Sequence, residues 1–212
     1  MPEAKRFRFG RSAGLPFLKL LYVLPLLLGI TGSRCLTDRD LEPVIGVDVV
    51  AGFVAHGSEN VYNGQTTVDL SSNIDLPKIM SDHQISRIKS ISIEDAFFRI
   101  IKGDAAAPDR AVSQNVFTVR EPGGPDKSLF TIGSVAVNDP AFVNWTPAPM
   151  SSAGAKVINV ALRKLLIGQH SELTFTVSGQ STPPGIPTDF EWAALVRIQV
   201  VGVRKITVFE PF

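Results

Sequence analysis

The sequence predicts an all-β protein, a two-sheet antiparallel β-sandwich with one or two short helices, and three patterns carry the prediction. First, residues 190–209, FEWAALVRIQVVGVRKITVF, hold one side-chain parity: Phe190, Trp192, Ala194, Val196, Ile198 and Val200 share a face, opposed by Glu191, Arg197 and Gln199. Alternation of period two marks a strand with one buried face. Second, the alternation recurs in residues 172–178, with Leu173, Phe175 and Val177 inward and Glu172, Thr174, Thr176 and Ser178 outward. Third, short apolar segments are separated throughout by clusters of Gly, Pro and Asn, the punctuation of a sandwich.

The first fourteen residues carry Lys5, Arg6, Arg8 and Arg11 against Glu3, and an apolar run follows whose uninterrupted part, residues 20–30, is eleven residues long. A basic segment, a short apolar core and then small residues are the pattern of a secretory signal, here residues 1–34. Eleven residues fall short of the roughly 20 that span a hydrocarbon core. Counted from Leu15 the run reaches sixteen, so an uncleaved anchor is the alternative.

Cys35, the single cysteine, stands directly after this segment, in Leu28-Gly29-Ile30-Thr31-Gly32-Ser33-Arg34-Cys35. It resembles the lipid-modified first residue of a mature bacterial lipoprotein. That resemblance implies diacylglycerol on sulfur and an acyl chain on nitrogen, the two anchors that stable membrane attachment requires. Arg34 departs from the small residue that family carries before its cysteine. Ordinary cleavage after Ser33, leaving Cys35 as a free thiol, is the competing reading. Without residues 1–34 the chain keeps 15 basic and 19 acidic residues, a net charge of −4. No basic stripe remains to neutralise phosphates, which argues against a nucleic-acid partner.

Residues 35–43, with Asp38, Asp40 and Glu42, read as a polar tether, and residues 44–212 as a single domain with a sizeable core. Residues 44–55 and 65–70 read as strands flanking turn chemistry at 57–64. Asp75-Leu76-Pro77 offers a helix cap with proline in the first turn. Residues 88–101 form a strand in which Ile91, Ile93, Phe97 and Ile101 share a parity interrupted by Asp95, and Phe97-Phe98 puts a ring on each face. Residues 103–111 are a loop, and strands at 116–120 and 129–137 flank the turn Glu121-Pro122-Gly123-Gly124-Pro125-Asp126.

Residues 138–153 are an irregular stretch with three prolines, Pro140, Pro147 and Pro149, carrying Phe142 and Trp145. Residues 157–167 fit either a strand followed by a turn of helix or a short helix, and the first is expected. The strand at 172–178 is expected to pair antiparallel with the C-terminal run, where a bend or bulge at Gly202 divides about 65 Å of extended chain into two strands.

Catalytic signatures are sparse. His56, His83 and His170 lie far apart, no nucleophile elbow, P-loop or dinucleotide glycine pattern is present, and no metal or cofactor motif appears. Glu94 and Asp95 are adjacent on a strand and so point to opposite faces. Asn144-Trp145-Thr146 matches the glycosylation triplet, a pattern that is frequent by chance. Phe142 and Trp145 are candidates for a partner-contact edge, with Trp145 as a plug across one end of the fold the competing reading. An outer-membrane barrel is disfavoured because two tyrosines do not build aromatic girdles.

An export signal, the lone Cys35, a mature sandwich and a long alternating C-terminal run together resemble uncharacterised bacterial exported surface proteins with immunoglobulin-like or late-embryogenesis-abundant-like domains. The resemblance implies a non-enzymatic surface or periplasmic protein, anchored by its N-terminus and binding a protein partner or supporting an assembly. Two alternatives stand beside it. One is a fibre subunit that donates residues 203–209 to a neighbour's sheet. The other is a hydrolase with dispersed acids such as Asp95 and Asp126.

Overall fold

The structure, a computed structural model, describes residues 35–57 and 60–210. The expected signal segment, residues 1–34, lies outside the described residues. Among those described, no helix is long and apolar enough to cross a membrane. The chain divides into two compact units, residues 40–205 and a smaller one in which residues 35–39 and 206–210 are described.

Ten strands are described: β1 (Cys35–Leu41), β2 (Val44–Gly57), β3 (Val61–Asp69), β4 (Arg87–Lys102), β5 (Ala111–Arg120), β6 (Lys127–Ile132), β7 (Val135–Ala136), β8 (Thr146–Ala148), β9 (Glu172–Thr182) and β10 (Thr188–Glu210). Helices α1 (Leu70–Asn73), α2 (Leu76–Asp82) and α3 (Ser152–Leu166) interrupt them. The ladder runs β6-β5-β9-β3-β2-β10-β4-β8, its pairings antiparallel, with β7 antiparallel on β5 and β1 on β10. The all-β, antiparallel expectation therefore holds, while the described strands form one continuous ladder where two separate sheets were expected.

Within residues 40–205 the sheet folds back on itself. The ladder separates β5 from β10 by three strands, yet Phe117 of β5 and Trp192 of β10 meet edge-on with ring centroids 5.6 Å apart. Phe53 of β2 packs on Phe117 at 5.9 Å, and Tyr62 of β3 on Phe190 of β10 at 5.2 Å. β2 and β3, which join the two halves of the ladder, share the register pair His56↔Asn63. Helix α3 packs on β4, β5 and β6, strands from both ends of the ladder, and so closes the core.

The C-terminal parity is as the sequence predicts: Phe190, Trp192, Ala194, Val196, Ile198 and Val200 are all buried. The expected division into two strands is absent, because β10 is one strand of 23 residues, but the expected irregularity at Gly202 is present. Gly202 marks a register shift against β4, and a Cβ there would meet Ile85 at 2.5 Å. The predicted β9–β10 pair is also corrected. β9 lies between β5 and β3, and β10 between β2 and β4, since the Pro-rich connection carries the chain across the fold and not round a hairpin.

Of residues 157–167, expected as strand and turn, 157–166 belong to α3 and Ile167 is its C-cap. Gly154, Ile158, Ala161, Leu162 and Leu165 are its buried residues, spaced by three, four and one, which is a helical stripe. Ser151 caps it by accepting from Gly154 N, and Gly168 ends it at φ +76°. The predicted cap at Asp75 is present, its carboxylate accepting from Lys78 N at 2.8 Å. Residues 35–43, expected as a tether, contain β1. In the smaller unit β1 pairs with the end of β10, and Thr207 Oγ1 donates to Asp38 Oδ1 at 3.1 Å.

Candidate functional site

Phe142 and Trp145 lie in the irregular stretch, and hydrogen bonds pin both of its ends. Asn138 Nδ2 donates to the carbonyls of Asp104, Ala107 and Pro108. Asp139 caps a 3₁₀ turn at Pro140–Val143 by accepting from Ala141 N, and β8 pairs with β4 through Thr146, Pro147 and Ala148. The structure separates the two aromatics. Phe142 stacks on the core residue Phe98 with centroids 5.9 Å apart, whereas Trp145 is half-buried with the guanidinium of Arg99 4.4 Å from its ring.

Arg99 belongs to the outward face of the sheet. Cross-strand register aligns that face in rows. Val50 of β2, Leu195 of β10, Phe97 of β4 and Pro147 of β8 form one apolar row across four strands. On one side of it run Asp48, Arg197 and Asp95; on the other run Gly52, Ala193 and Arg99. Val50 is 46% exposed, and Val54 and Ile101 nearby are 45% and 49% exposed. Leu195, although on the outward face, is only 5% exposed. The row is thus a packed surface with aliphatic edges in water.

The polar side chains around it are ordered. Arg197 Nε and Nη2 donate to the two oxygens of Asp48 at 2.9 and 3.2 Å, and the guanidinium sits 5.1 Å from the Phe97 ring. The bond to Asp48 holds the Arg197 proton above its ordinary value, with Glu94 and Asp95 adding weakly. Both carboxylates act on Arg197 because a bulge inserts Glu94 between the pairs Asp95↔Arg197 and Ile93↔Ile198. The same bulge overturns the predicted parity of β4. The buried set changes from Ile91 to Ala96, Phe98 and Ile100, and Phe97 and Ile101 are left outside.

Other candidate groups stay apart. Cys35 is the first residue of β1. His56 and His83 are exposed, and His170 lies 3.7 Å from Asp69 beside an open cleft of about 570 Å³ at the end of α3. Asp126 sits 3.7 Å from Arg120, so it is far in the ladder from Asp95. Among the described residues no group of three or more His, Cys, Asp or Glu is placed to hold a metal ion. Val50 and Leu195 of the outward row escaped the sequence reading as contact residues, because a strand's solvent face is not marked by periodicity; the valines at 50 and 54 out of phase with Val49, Ala51 and Phe53 were the available signal.

No protein-family model matches the chain, and no curated protein matches it. A solved structure described as Desmodium yellow mottle tymovirus is similar at 10% identity, covering 99% of this chain and 99% of that one, with a TM-score of 0.28.

Proposed function

We propose that the chain is an exported protein, anchored to a membrane through its N-terminus, with a non-enzymatic binding or structural role, and that the outward row of β2, β10, β4 and β8 is its docking face. In this reading the ladder acts as a two-layer, immunoglobulin-like sandwich, β6-β5-β9-β3 against β2-β10-β4-β8, hinged at His56↔Asn63. The second layer then turns its outward row to solvent.

One observation carries the proposal. Val50, Leu195, Phe97 and Pro147 run unbroken across four strands and are bordered by Arg99 on Trp145 and Arg197 on Phe97. Arginine and aromatic side chains packed round an apolar centre are the groups that carry most binding energy at protein interfaces. Val50, Val54 and Ile101 leave aliphatic side chains 45–49% exposed in or beside this row, and apolar groups left in water on a sheet face favour contact over solvation.

A photo-crosslinking residue at position 50, compared with one at exposed Gln65 on β3, tests the face in intact cells. The expected result is an adduct from position 50 and none from position 65; equal yields, or none, would sink the docking face. The anchor is tested by palmitate labelling and fractionation of wild type against Cys35→Ala. Label and membrane association should both be lost in the variant, and an unlabelled wild-type protein in the soluble fraction removes the lipid.

A further inference from the structure

We infer that the docking face takes a second copy of this chain, packed face to face about a two-fold axis that runs along the Val50–Leu195–Phe97 row. The inference rests on the proposed docking face and names its occupant. Its ground is the distribution of charge on the two sides of the row.

Along β4 the outward side chains read Asp95, Phe97, Arg99, which is acid, apolar, base. A two-fold axis lying in the interface makes the same patch meet itself. With the axis along the row, β4 lies over β4 of the second copy in reversed direction, so Asp95 of each copy faces Arg99 of the other, and the pair forms twice. Phe97 and Val50 face their own equivalents across the axis, with the buried Leu195 beneath the centre of the row. Sheets packed face to face sit about 10 Å apart, a gap that these side chains fill from both sides.

The remaining positions also match. Asp48 on one side of the row falls opposite Gly52 on the other, which is exposed and where an added Cβ meets nothing within 4 Å. The Arg197-bound carboxylate is therefore set against the smallest exposed residue of the face. Arg99 is held in place against Trp145 and forms no ion pair among the described residues. Asp95 likewise forms none and is exposed. The two are four residues apart on one strand, a separation of about 13 Å, so neither satisfies the other within a chain.

Sedimentation velocity on the full chain, purified in the form its producing cells make, reads the interface. The wild type should show a concentration-dependent dimer. Asp95→Arg and Arg99→Glu each create two like-charge contacts across the axis and should weaken dimerisation by at least about tenfold, with circular dichroism reporting that both variants stay folded. Mixed in equal amounts, the two variants form opposite-charge contacts at both positions, so a heterodimer should return to near wild-type strength. The double variant Asp95→Arg/Arg99→Glu should recover in the same way. A wild type that is monomeric at every concentration, single variants that dimerise as well as wild type, or a mixture that fails to recover would each overturn the inference. If the position-50 crosslink joins the chain to a different protein and never to itself, self-association is wrong and the docking face stands.

Discussion

Tyr62 shows how a single buried polar atom ties several strands together. Its side chain is fully buried, and its hydroxyl donates to Asn115 Oδ1 at 2.5 Å while Asn115 Nδ2 donates to the carbonyl of Gly133 at 2.7 Å. Burial pushes the phenol well above its ordinary value of 10.0, with the Trp192 indole opposing. The folded state therefore holds the neutral phenol where the unfolded chain would ionise. The resulting stabilisation is complete below about pH 10 and is lost as pH rises beyond it. Tyr62→Phe should cost about 1–3 kcal/mol near neutral pH, because it strands the Asn115 acceptor. The difference from wild type should shrink in denaturant titrations above about pH 10; a constant difference would mean that the phenol does not titrate with unfolding. Arg110 and Asp104 form another such knot. Both side chains are fully buried and 2.6 Å apart, and Arg110 Nη2 also donates to the carbonyls of Ile186 and Pro187. Nothing in the alanine-rich stretch 103–111 marked it as other than a loop, since two of the Arg110 acceptors, the carbonyls of Ile186 and Pro187, come from residues more than seventy positions away.

At the scale of elements, the docking of α3 decides whether the folded-back sheet has a closed core. Gly154 makes the approach possible: a Cβ there would meet Leu129 Cα and Ser128 O, both at 2.6 Å and both backbone. Alanine is the better helix former by about 1 kcal/mol, so propensity alone predicts that Gly154→Ala stabilises. Backbone atoms have no rotamer in which to yield, and a net loss of about 1–3 kcal/mol is expected instead, read as a lower Tm. Gly133→Ala, where an added Cβ meets nothing within 4 Å, should leave Tm unchanged or raised. Helix α3 also completes the hydrogen bonding of β4, where Asn159 Oδ1 accepts from Ile93 N at 2.9 Å beside the Glu94 bulge. The β-branched residues Val157, Ile158 and Val160 made a strand the natural reading of this segment. The helical stripe wins because the gap between β4 and β6 needs a cylinder with one apolar face.

At the scale of the whole molecule, the long C-terminal strand β10 is tied within its own chain at Val203. Val203 is 3% exposed, and its carbonyl accepts from Ser86 N at 2.8 Å and from Ser86 Oγ at 2.9 Å. Removing residues 203–212 should therefore cost roughly 3 kcal/mol or more from two hydrogen bonds and a buried valine, measured by thermal denaturation. A truncated chain that melts like wild type and no longer assembles would favour strand donation instead. The sequence by itself determined the strand content, the buried face of β10 and β9, and the cap of α2. Each of these is local: it follows from side-chain period or from chemistry within a few residues. Only the tertiary structure decided that β9 pairs with β5 and β3, that residues 152–166 are a helix, and that Asp95, Phe97 and Arg99 line up with Leu195 and Val50. Those outcomes depend on which strands become neighbours and where a one-residue bulge resets the faces, and a period-two pattern carries no information about either.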